Sequence, residues 1–488
     1  MNDAQIDSVD AQWRSLVFPA NYSNPPPQRR YHLCVIGAGP AGLVTAIAAA
    51  GLGARVALIE RAAMGGDCLN VGCIPSKALL EFTKRHPGAA QFEAAFAWLK
   101  RVRADIAHHD SVERYTEAGV DVFLGEAAFR DKATVTVADT DINARRFVIA
   151  TGARASLPPI PGLAAASPLT NENVFDLQAR PDTLAIVGAG PIGCELALVF
   201  ARLGTAVTLF EVADRVLPTE HPQAGRIVAD SLHDAGVALS LGANIERIER
   251  APPPAGRRGV TVALPQSSES FDEVLVAAGR TANTESLNVA AAGVQLTERG
   301  LIAVDSKLRT TNKHIFAAGD VCSSLQFTHH ADAHARIVVQ NALFFASGST
   351  RQLIVPHCTY TQPEVAQVGA SAPELERRRI AFDTWRIDFA ELDRGRTQGD
   401  AVGFAEILTR RGSDAILGAT IVGEDAGEQL APVCLAMRER IGLGKLAGTM
   451  LPYPTRAEYL KRLADQFNRT RLTPTVGRIM KQWFRLTR

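Results

Sequence analysis

The segment G-G-D-C-L-N-V-G-C-I-P-S-K, Gly65–Lys77, carries two cysteines, Cys68 and Cys73, with four residues between them. Gly72 lies in that gap, and Pro75 falls where the first turn of a helix should begin, with Ala78–Lys84 continuing it. A thiol at a helix N-terminus is stabilised as thiolate by the backbone dipole. This arrangement predicts Cys73 as the low-pKa sulfur and Cys68 as its disulfide partner. Zinc is the competing chemistry for two close cysteines, yet no second Cys or Cys/His pair of suitable spacing accompanies them. A redox disulfide is expected, and no metal ligands are assigned.

A second kind of chemistry is written twice. V-I-G-A-G-P-A-G starts at Val35 and I-V-G-A-G-P-I-G at Ile186, so Gly37, Gly39 and Gly42 recur 151 residues later as Gly188, Gly190 and Gly193. The same offset places Gly53 on Gly204, Val56 on Val207 and Glu60 on Glu211. In a G-x-G-x-x-G turn the first Gly makes the turn, the second lets backbone approach a pyrophosphate, and the third packs helix on strand; the helix start then favours the phosphates. Glu60 and Glu211 each close the following strand, where an acid accepts hydrogen bonds from ribose hydroxyls. At Glu211 such an acid repels a 2′-phosphate, which favours NADH over NADPH unless the nearby Arg215 offsets it. Two bound dinucleotides are expected, a flavin and a nicotinamide.

These motifs require strand, glycine turn, helix and strand in that order. Strands are expected at Leu33–Ile36, Arg55–Ile59, Leu184–Val187 and Ala206–Phe210, short and apolar as buried parallel strands are. The helices between them should end near Gly53 and Gly204. The Pro-rich Leu157–Gly162 reads as a domain boundary, and A-P-P-P-A-G-R-R-G at 251–259 as a hairpin tip. Beyond about Arg351 the glycine pattern ends, and alternating stretches such as Thr384–Phe389 and Gly403–Leu408 point to a separate α+β domain. Residues 1–30, with Pro25–Pro27, read as an extended arm. From residue 461 onward eight Lys and Arg face only Asp465, and Val476, Ile479, Met480 and Trp483 fall at helical spacing. A basic amphipathic tail helix is expected. Docking on an anionic membrane, packing on its own dimer and plain solvation are the readings open for it.

The rest of the chain sets bounds. At 488 residues it has room for about three domains. Its 52 Lys and Arg nearly cancel 51 Asp and Glu, which leaves no field to hold nucleic acid. No secretory signal is visible, and the most apolar run, Gly42–Ala54, is shorter than a membrane span. Seven cysteines in such a length make no disulfide scaffold, so reduced thiols and a cytoplasmic location are expected. Cys34 and Cys194 read as buried filler. Cys322, Cys358 and Cys434 receive no role. His330 and His334, four apart, share a helix face as metal ligands or pack beside the flavin domain; packing is the reading taken.

With these parts assembled, the chain resembles the flavoprotein pyridine-nucleotide–disulfide oxidoreductases, the family of glutathione reductase, dihydrolipoyl dehydrogenase and mercuric reductase. The likeness spans about residues 31–470. Gly65–Lys77 carries it, with A-T-G at Ala150–Gly152, A-A-G-R-T-A-N at Ala277–Asn283 and I-F-A-A-G-D at Ile315–Asp320. The resemblance implies an α/β fold of two Rossmann-like dinucleotide-binding domains, for FAD and NAD(P), plus a C-terminal α+β dimerisation domain. The expected boundaries are an arm at 1–30, an FAD-binding domain at 31–157 and 284–350, an NAD(P)-binding domain at 158–283, a dimerisation domain at 351–472 and a basic tail at 473–488. Asp320 is implied to hydrogen-bond the ribityl chain of the flavin, and Lys77 and Glu195 to pair beside its ring. Gly66, Thr151, Gly152 and Gly279 join the fingerprint glycines and acids in binding the cofactors. The implied route runs from NAD(P)H to FAD on one face, then to the Cys68–Cys73 disulfide on the other. Cys73 faces the flavin as charge-transfer donor and Cys68 faces the substrate, in an active site between two subunits of a homodimer.

One departure narrows the substrate. Disulfide reductases of the family carry His-Pro-Thr-x-x-Glu, whose His shuttles protons to the leaving thiol. Here P-Y-P-T-R-A-E puts Tyr453 in the His position and keeps Glu458. Tyr, with a pKa of about 10 against about 6.5 for His, is a poor shuttle near neutrality. Mercuric reductases are similar at this point, and F-T-H-H-A-D-A-H-A-R and C-T-Y-T-Q-P-E-V-A are also closest to that branch. Soft metals need thiolate ligation more than proton delivery. However, no C-x-x-C domain precedes Gly37, and no cysteine pair follows Cys434 to hand a metal in. The expectation is a mercuric-reductase-like FAD enzyme passing electrons from NADH or NADPH to a soft metal ion or small oxidant. A disulfide reductase and a slow-turnover redox sensor are the alternatives.

Overall fold

In the computed structural model, which describes residues 3–251 and 259–487, the run YHLCVI forms the strand Tyr31–Ile36. It lies between Val56–Glu60 and Thr140–Ile149, parallel to both, with Leu33 opposite Val56 and Arg146. Val120–Leu124 and Ile315–Ala317 extend this parallel sheet on its two sides. Leu33, Cys34, Val35 and Leu58 are fully buried, as continuous apolar strands covered on both faces must be. Each large aliphatic side chain so buried contributes roughly 1.5–3 kcal/mol. The other end of Thr140–Ile149 continues into an antiparallel ribbon with Thr134–Val137 and Ala127–Phe129.

Gly37 leaves the first strand at φ +102°, where a Cβ would sit 2.4 Å from Ala150 O, and a Cβ on Gly42 would sit 1.8 Å from Gly37 O. Both collisions are with backbone, so only glycine closes this turn. The helix Pro40–Gly51 follows and stops just before Gly53, at φ +85°. The second copy repeats the plan. Thr183–Val187 lies parallel between Ala206–Glu211 and Glu273–Val276, with Ala238–Leu241 outside. Its helix, Pro191–Arg202, stops before Gly204 at φ +79°. Arg247–Ala251, Gly259–Leu264 and Ser267–Phe271 form a separate antiparallel sheet. The hairpin tip expected at 251–259 falls on residues 252–258, outside the described residues.

Contacts gather the chain into two compact units, Met1–Val212 with Ala235–Leu353, and Ala213–Asp234 with Ile354–Arg488. The second unit holds a five-stranded antiparallel sheet, in the order His357–Thr359, Glu364–Gly369, Ile416–Gly423, Phe404–Arg410 and Phe382–Asp388. Helices Ala426–Arg438 and Glu458–Thr470 close its core through Leu430, Val433, Tyr459 and Leu463. This is the expected α+β domain. The segment with helix Pro222–Asp234, inside the 158–283 boundary read from sequence, groups with this unit. Glu220 meets His357 at 3.0 Å, and Gln223 accepts from Arg386 at 2.7 Å. The basic tail forms the helix Pro474–Leu486, capped by the Thr473 hydroxyl.

The N-terminal arm is not extended: Asp3–Val17 is a helix. Val17 is fully buried, and Asp10 meets Lys100 at 2.7 Å and Arg103 at 3.1 Å. Asp10 is the counter-charge of cations some 90 residues further on, which no local pattern reveals. Among the described residues no helix is long and apolar enough to cross a membrane.

Candidate active site

Cys68 lies in the short helix Gly66–Asn70, and Cys73 is the first residue of the helix Cys73–Arg85. Gly72 joins the two helices, and a Cβ there would sit 2.7 Å from Asp67 O, so the tight link between the sulfurs needs glycine. Cys73 Sγ is 3.6 Å from the Thr328 hydroxyl. The Cys73 thiol is held well below its ordinary range by the hydrogen bond from Cys68, against the opposing effect of burial, and further by the Lys77 ammonium and Thr328. Cys68 is pushed far up, first by that shared hydrogen bond and then by burial. Both directions favour the proton on Cys68 and the charge on Cys73.

One turn along the same helix, Lys77 Nζ reaches Glu195 Oε2 at 2.7 Å. Glu195 is only 4% exposed and belongs to the second copy's helix, Pro191–Arg202, so this contact ties the dithiol helix to the second glycine fold. A carboxylate this buried needs its counter-ion.

The two glycine turns fasten themselves through their terminal acids. The Ala38 N–H donates to Glu60 Oε2 at 2.7 Å and the Ala62 N–H to Oε1 at 2.8 Å, while burial pushes the Glu60 carboxyl upward. In the second copy the Ala189 N–H donates to Glu211 at 2.8 Å. Arg215, the alternative ally for a 2′-phosphate, donates to Pro218 O at 2.6 Å.

The two glycine turns differ in what lies around them. A cleft opens beside the first, walled by Gly37, Glu60, Gly125, Thr151 and Asn283. Gly39 and Gly66 bring their backbones together, since a Cβ on Gly66 would sit 2.6 Å from Gly39 Cα. In the second turn a Cβ on Gly190 would meet no protein atom within 4 Å, so packing against the protein does not demand that glycine and the space beside it is open. Asp320 is pushed up to about 6 by burial, and Arg280 Nε lies 3.7 Å from it, buried and without a hydrogen-bond partner. An unsatisfied guanidinium N–H and a desolvated acid side by side fit a polar ligand chain at this point. Thr151 donates to Asn283 O at 2.7 Å, Gly152 accepts from Asn283 N, and Gly279 accepts from Ser156 N at 3.0 Å, which ties Ala150–Gly152 to Ala277–Asn283.

Tyr453 and Glu458 sit in the second unit. The Tyr453 hydroxyl donates to Asp393 at 2.7 Å, and this bond raises its pKa further, with the Glu458 charge adding to it. Glu458 opens the helix Glu458–Thr470 and accepts from Arg462 at 2.8 Å, with its Oε2 buried and unbonded. His330 and His334 are both buried, their rings 4.0 Å apart. His334 accepts from the Gly319 N–H and His330 contacts Leu325 O. Cys34 and Cys194 are fully buried.

Three contributions escaped sequence reasoning. Thr328 was passed over within its histidine-rich run. Arg280 was read only as part of a motif, yet it contacts Asp67, Asp320 and Ala153 O together. Trp13 donates to the Asn70 side chain at 2.9 Å, two residues beyond Cys68, with the Arg103 guanidinium 3.9 Å over its ring. Only the helical period of Asp3–Val17 hinted at the last.

The family of pyridine nucleotide-disulphide oxidoreductases matches residues 31–335, and its dimerisation domain matches 355–464. A mercuric reductase from Streptomyces lividans is 32% identical over 461 residues, 90% of this chain and 96% of the relative. A dihydrolipoyl dehydrogenase from Chlamydia trachomatis is 33% identical over 446 residues, 87% of this chain and 94% of that one. Among solved structures, the Cu(II) complex of the HOCl-induced flavoprotein disulfide reductase RclA from Escherichia coli superposes with a TM-score of 0.82 at 29% identity, covering 90% of this chain and all of the other. Such membership implies FAD and a pyridine nucleotide as cofactors, and the dimerisation domain supports a homodimer. The chain thus belongs to the pyridine nucleotide-disulphide oxidoreductases and is an FAD-dependent oxidoreductase of that family.

Proposed function

We propose that the protein carries electrons from NADH, through bound FAD and the Cys68/Cys73 pair, to a soft metal ion or a small oxidant. When bound, the flavin would accept hydride from the nicotinamide and relay two electrons toward the sulfurs. Gly37, Gly39, Gly42, Glu60, Gly66, Thr151, Gly152 and Asp320 would hold it. Gly188, Gly190, Gly193, Glu211 and Gly279 would hold the nicotinamide dinucleotide, with the Glu211 charge disfavouring a 2′-phosphate. Lys77, paired with Glu195, keeps a positive charge beside Cys73.

The observation that carries the choice of acceptor is the Tyr453–Asp393 bond. It holds a neutral phenol, its proton committed to a carboxylate, where a disulfide reductase needs a titrating group. With Cys73 as thiolate and Cys68 as thiol, the pair gives up two electrons and one proton as its S–S bond forms, and a metal ion that binds sulfur demands no delivered proton. Tyr453 and Glu458 take the place of the family's proton-delivering pair. The domain boundaries at 31–157, 158–283, 284–350 and 351–472 are part of this proposal, as is a cytoplasmic location, where free thiols persist.

The test is anaerobic reduction of the flavin-loaded protein with NADH or NADPH, followed by reoxidation with Hg(II), Cu(II), lipoamide or glutathione disulfide. NADH should reduce faster, and the metal ions should reoxidise fastest. Fastest reoxidation by lipoamide or glutathione disulfide would transfer the function to disulfide reduction. Slow turnover with every acceptor would favour a redox sensor.

A further inference from the structure

Two consecutive helices end the chain, Glu458–Thr470 and Pro474–Leu486, each of 13 residues. The first buries Tyr459, Leu460, Leu463 and Ala464 in the core of its unit; the second buries nothing. Yet the second is as clearly two-faced. At about 100° per residue, Val476, Ile479, Met480, Trp483, Phe484 and Leu486 fall within an arc of about 160°. From Ile479 to Leu486 these side chains are 47–76% exposed.

The opposite face carries Arg478, Lys481 and Arg485. None of them makes an ion pair among the described residues, and no acid follows Asp465 in the sequence. The helix also lies beyond the matched dimerisation domain, which ends at residue 464.

We propose that Pro474–Leu486 is a membrane-surface anchor that lies in the interface of a bilayer rich in anionic phospholipid. The apolar arc, with Trp483 and Phe484 at its centre and edge, enters the headgroup–acyl boundary, while the three cations meet phosphate. A wide aromatic and aliphatic arc set against a purely basic face is the composition of helices that lie on membranes without spanning them. Charge complementarity selects the occupant. Pairing with the same helix of a second copy through the apolar arc would leave the three cations of each helix on the outside with no acid to meet them, whereas an anionic leaflet takes up the apolar arc and attracts each Lys and Arg together.

The test is co-sedimentation of the full-length, flavin-loaded protein with vesicles of phosphatidylcholine alone or mixed with phosphatidylglycerol. Binding is expected only with phosphatidylglycerol, and should weaken as salt rises. The variants Trp483→Glu/Phe484→Glu and Arg478→Glu/Lys481→Glu/Arg485→Glu should each lower vesicle affinity at least about tenfold while leaving NADH-dependent turnover unchanged. The proposal is overturned by absence of binding at low salt, by equal binding to phosphatidylcholine alone, or by variants that bind as the parent does. A Trp483→Glu/Phe484→Glu protein that changes oligomeric state without losing vesicle binding would assign the apolar face to a second copy instead.

Discussion

Lys77 Nζ lies 2.7 Å from Glu195 Oε2, a contact between residues 118 positions apart that joins the dithiol helix to the second nucleotide fold. The Lys77 ammonium is also one of the influences that keep Cys73 acidic. Lys77→Ala should therefore do two things. It removes the 2.7 Å ion pair of a carboxylate that is 4% exposed, which should cost about 1–3 kcal/mol in denaturant unfolding, since Lys77 itself is partly exposed. It should also raise the pH at which Cys73 ionises. Lys77→Arg should restore most of the stability.

Cys73 ionisation gives the pH dependence. Its folded-state pKa is depressed, so the stabilisation it brings is complete above the ordinary thiol pKa of about 8.5 and is lost as pH falls through the lowered value. In reduced Cys68→Ser the thiolate–flavin absorbance should persist well below that ordinary value, because serine still donates to Cys73. In Cys68→Ala, without the donor, the midpoint should move up. Cys73→Ser should lack the band. A band that survives in Cys73→Ser would reverse the two sulfurs' roles.

Tyr453→His puts a titrating ring where Asp393 can accept its N–H. Lipoamide or glutathione-disulfide turnover near neutral pH should rise at least about tenfold, while metal-ion turnover stays level. Steady-state rates with both acceptor types decide this.

Glu211→Gln keeps an acceptor for the Ala189 N–H but removes the charge. The kcat/KM ratio of NADPH to NADH should rise about tenfold, with the fold intact by thermal melting. An unchanged ratio would place nucleotide choice elsewhere.

Asp10→Ala removes the acid shared by Lys100 and Arg103, which are 8% and 1% exposed. Chemical unfolding should show a loss of about 2–4 kcal/mol. Asp176, 3.6 Å from Arg103, offers only partial relief. Because Trp13 and Arg103 both bond Asn70, the variant should also loosen the helix that carries Cys68, seen as faster alkylation of that thiol.

Local order was enough to read the two glycine turns and the dithiol. A Cβ on Gly42 would collide with Gly37 O inside the same turn, and Cys68 and Lys77, which lower the Cys73 pKa, lie within five positions of it. Such effects act over a few neighbouring positions, and residue types alone declare them. The tail helix was legible for the same reason, since its period needs no partner. Other features depend on residues far apart in the chain. The helix Asp3–Val17 is held by Lys100, Arg103 and Asn70, Thr328 reaches Cys73 across 255 residues, and Arg280 finds Asp67 and Asp320 only once two separate motifs fold together. A carboxylate, hydroxyl or guanidinium has the same local signature whether it meets water or a partner, so only chain folding, by choosing which of them leave water together, settled those roles.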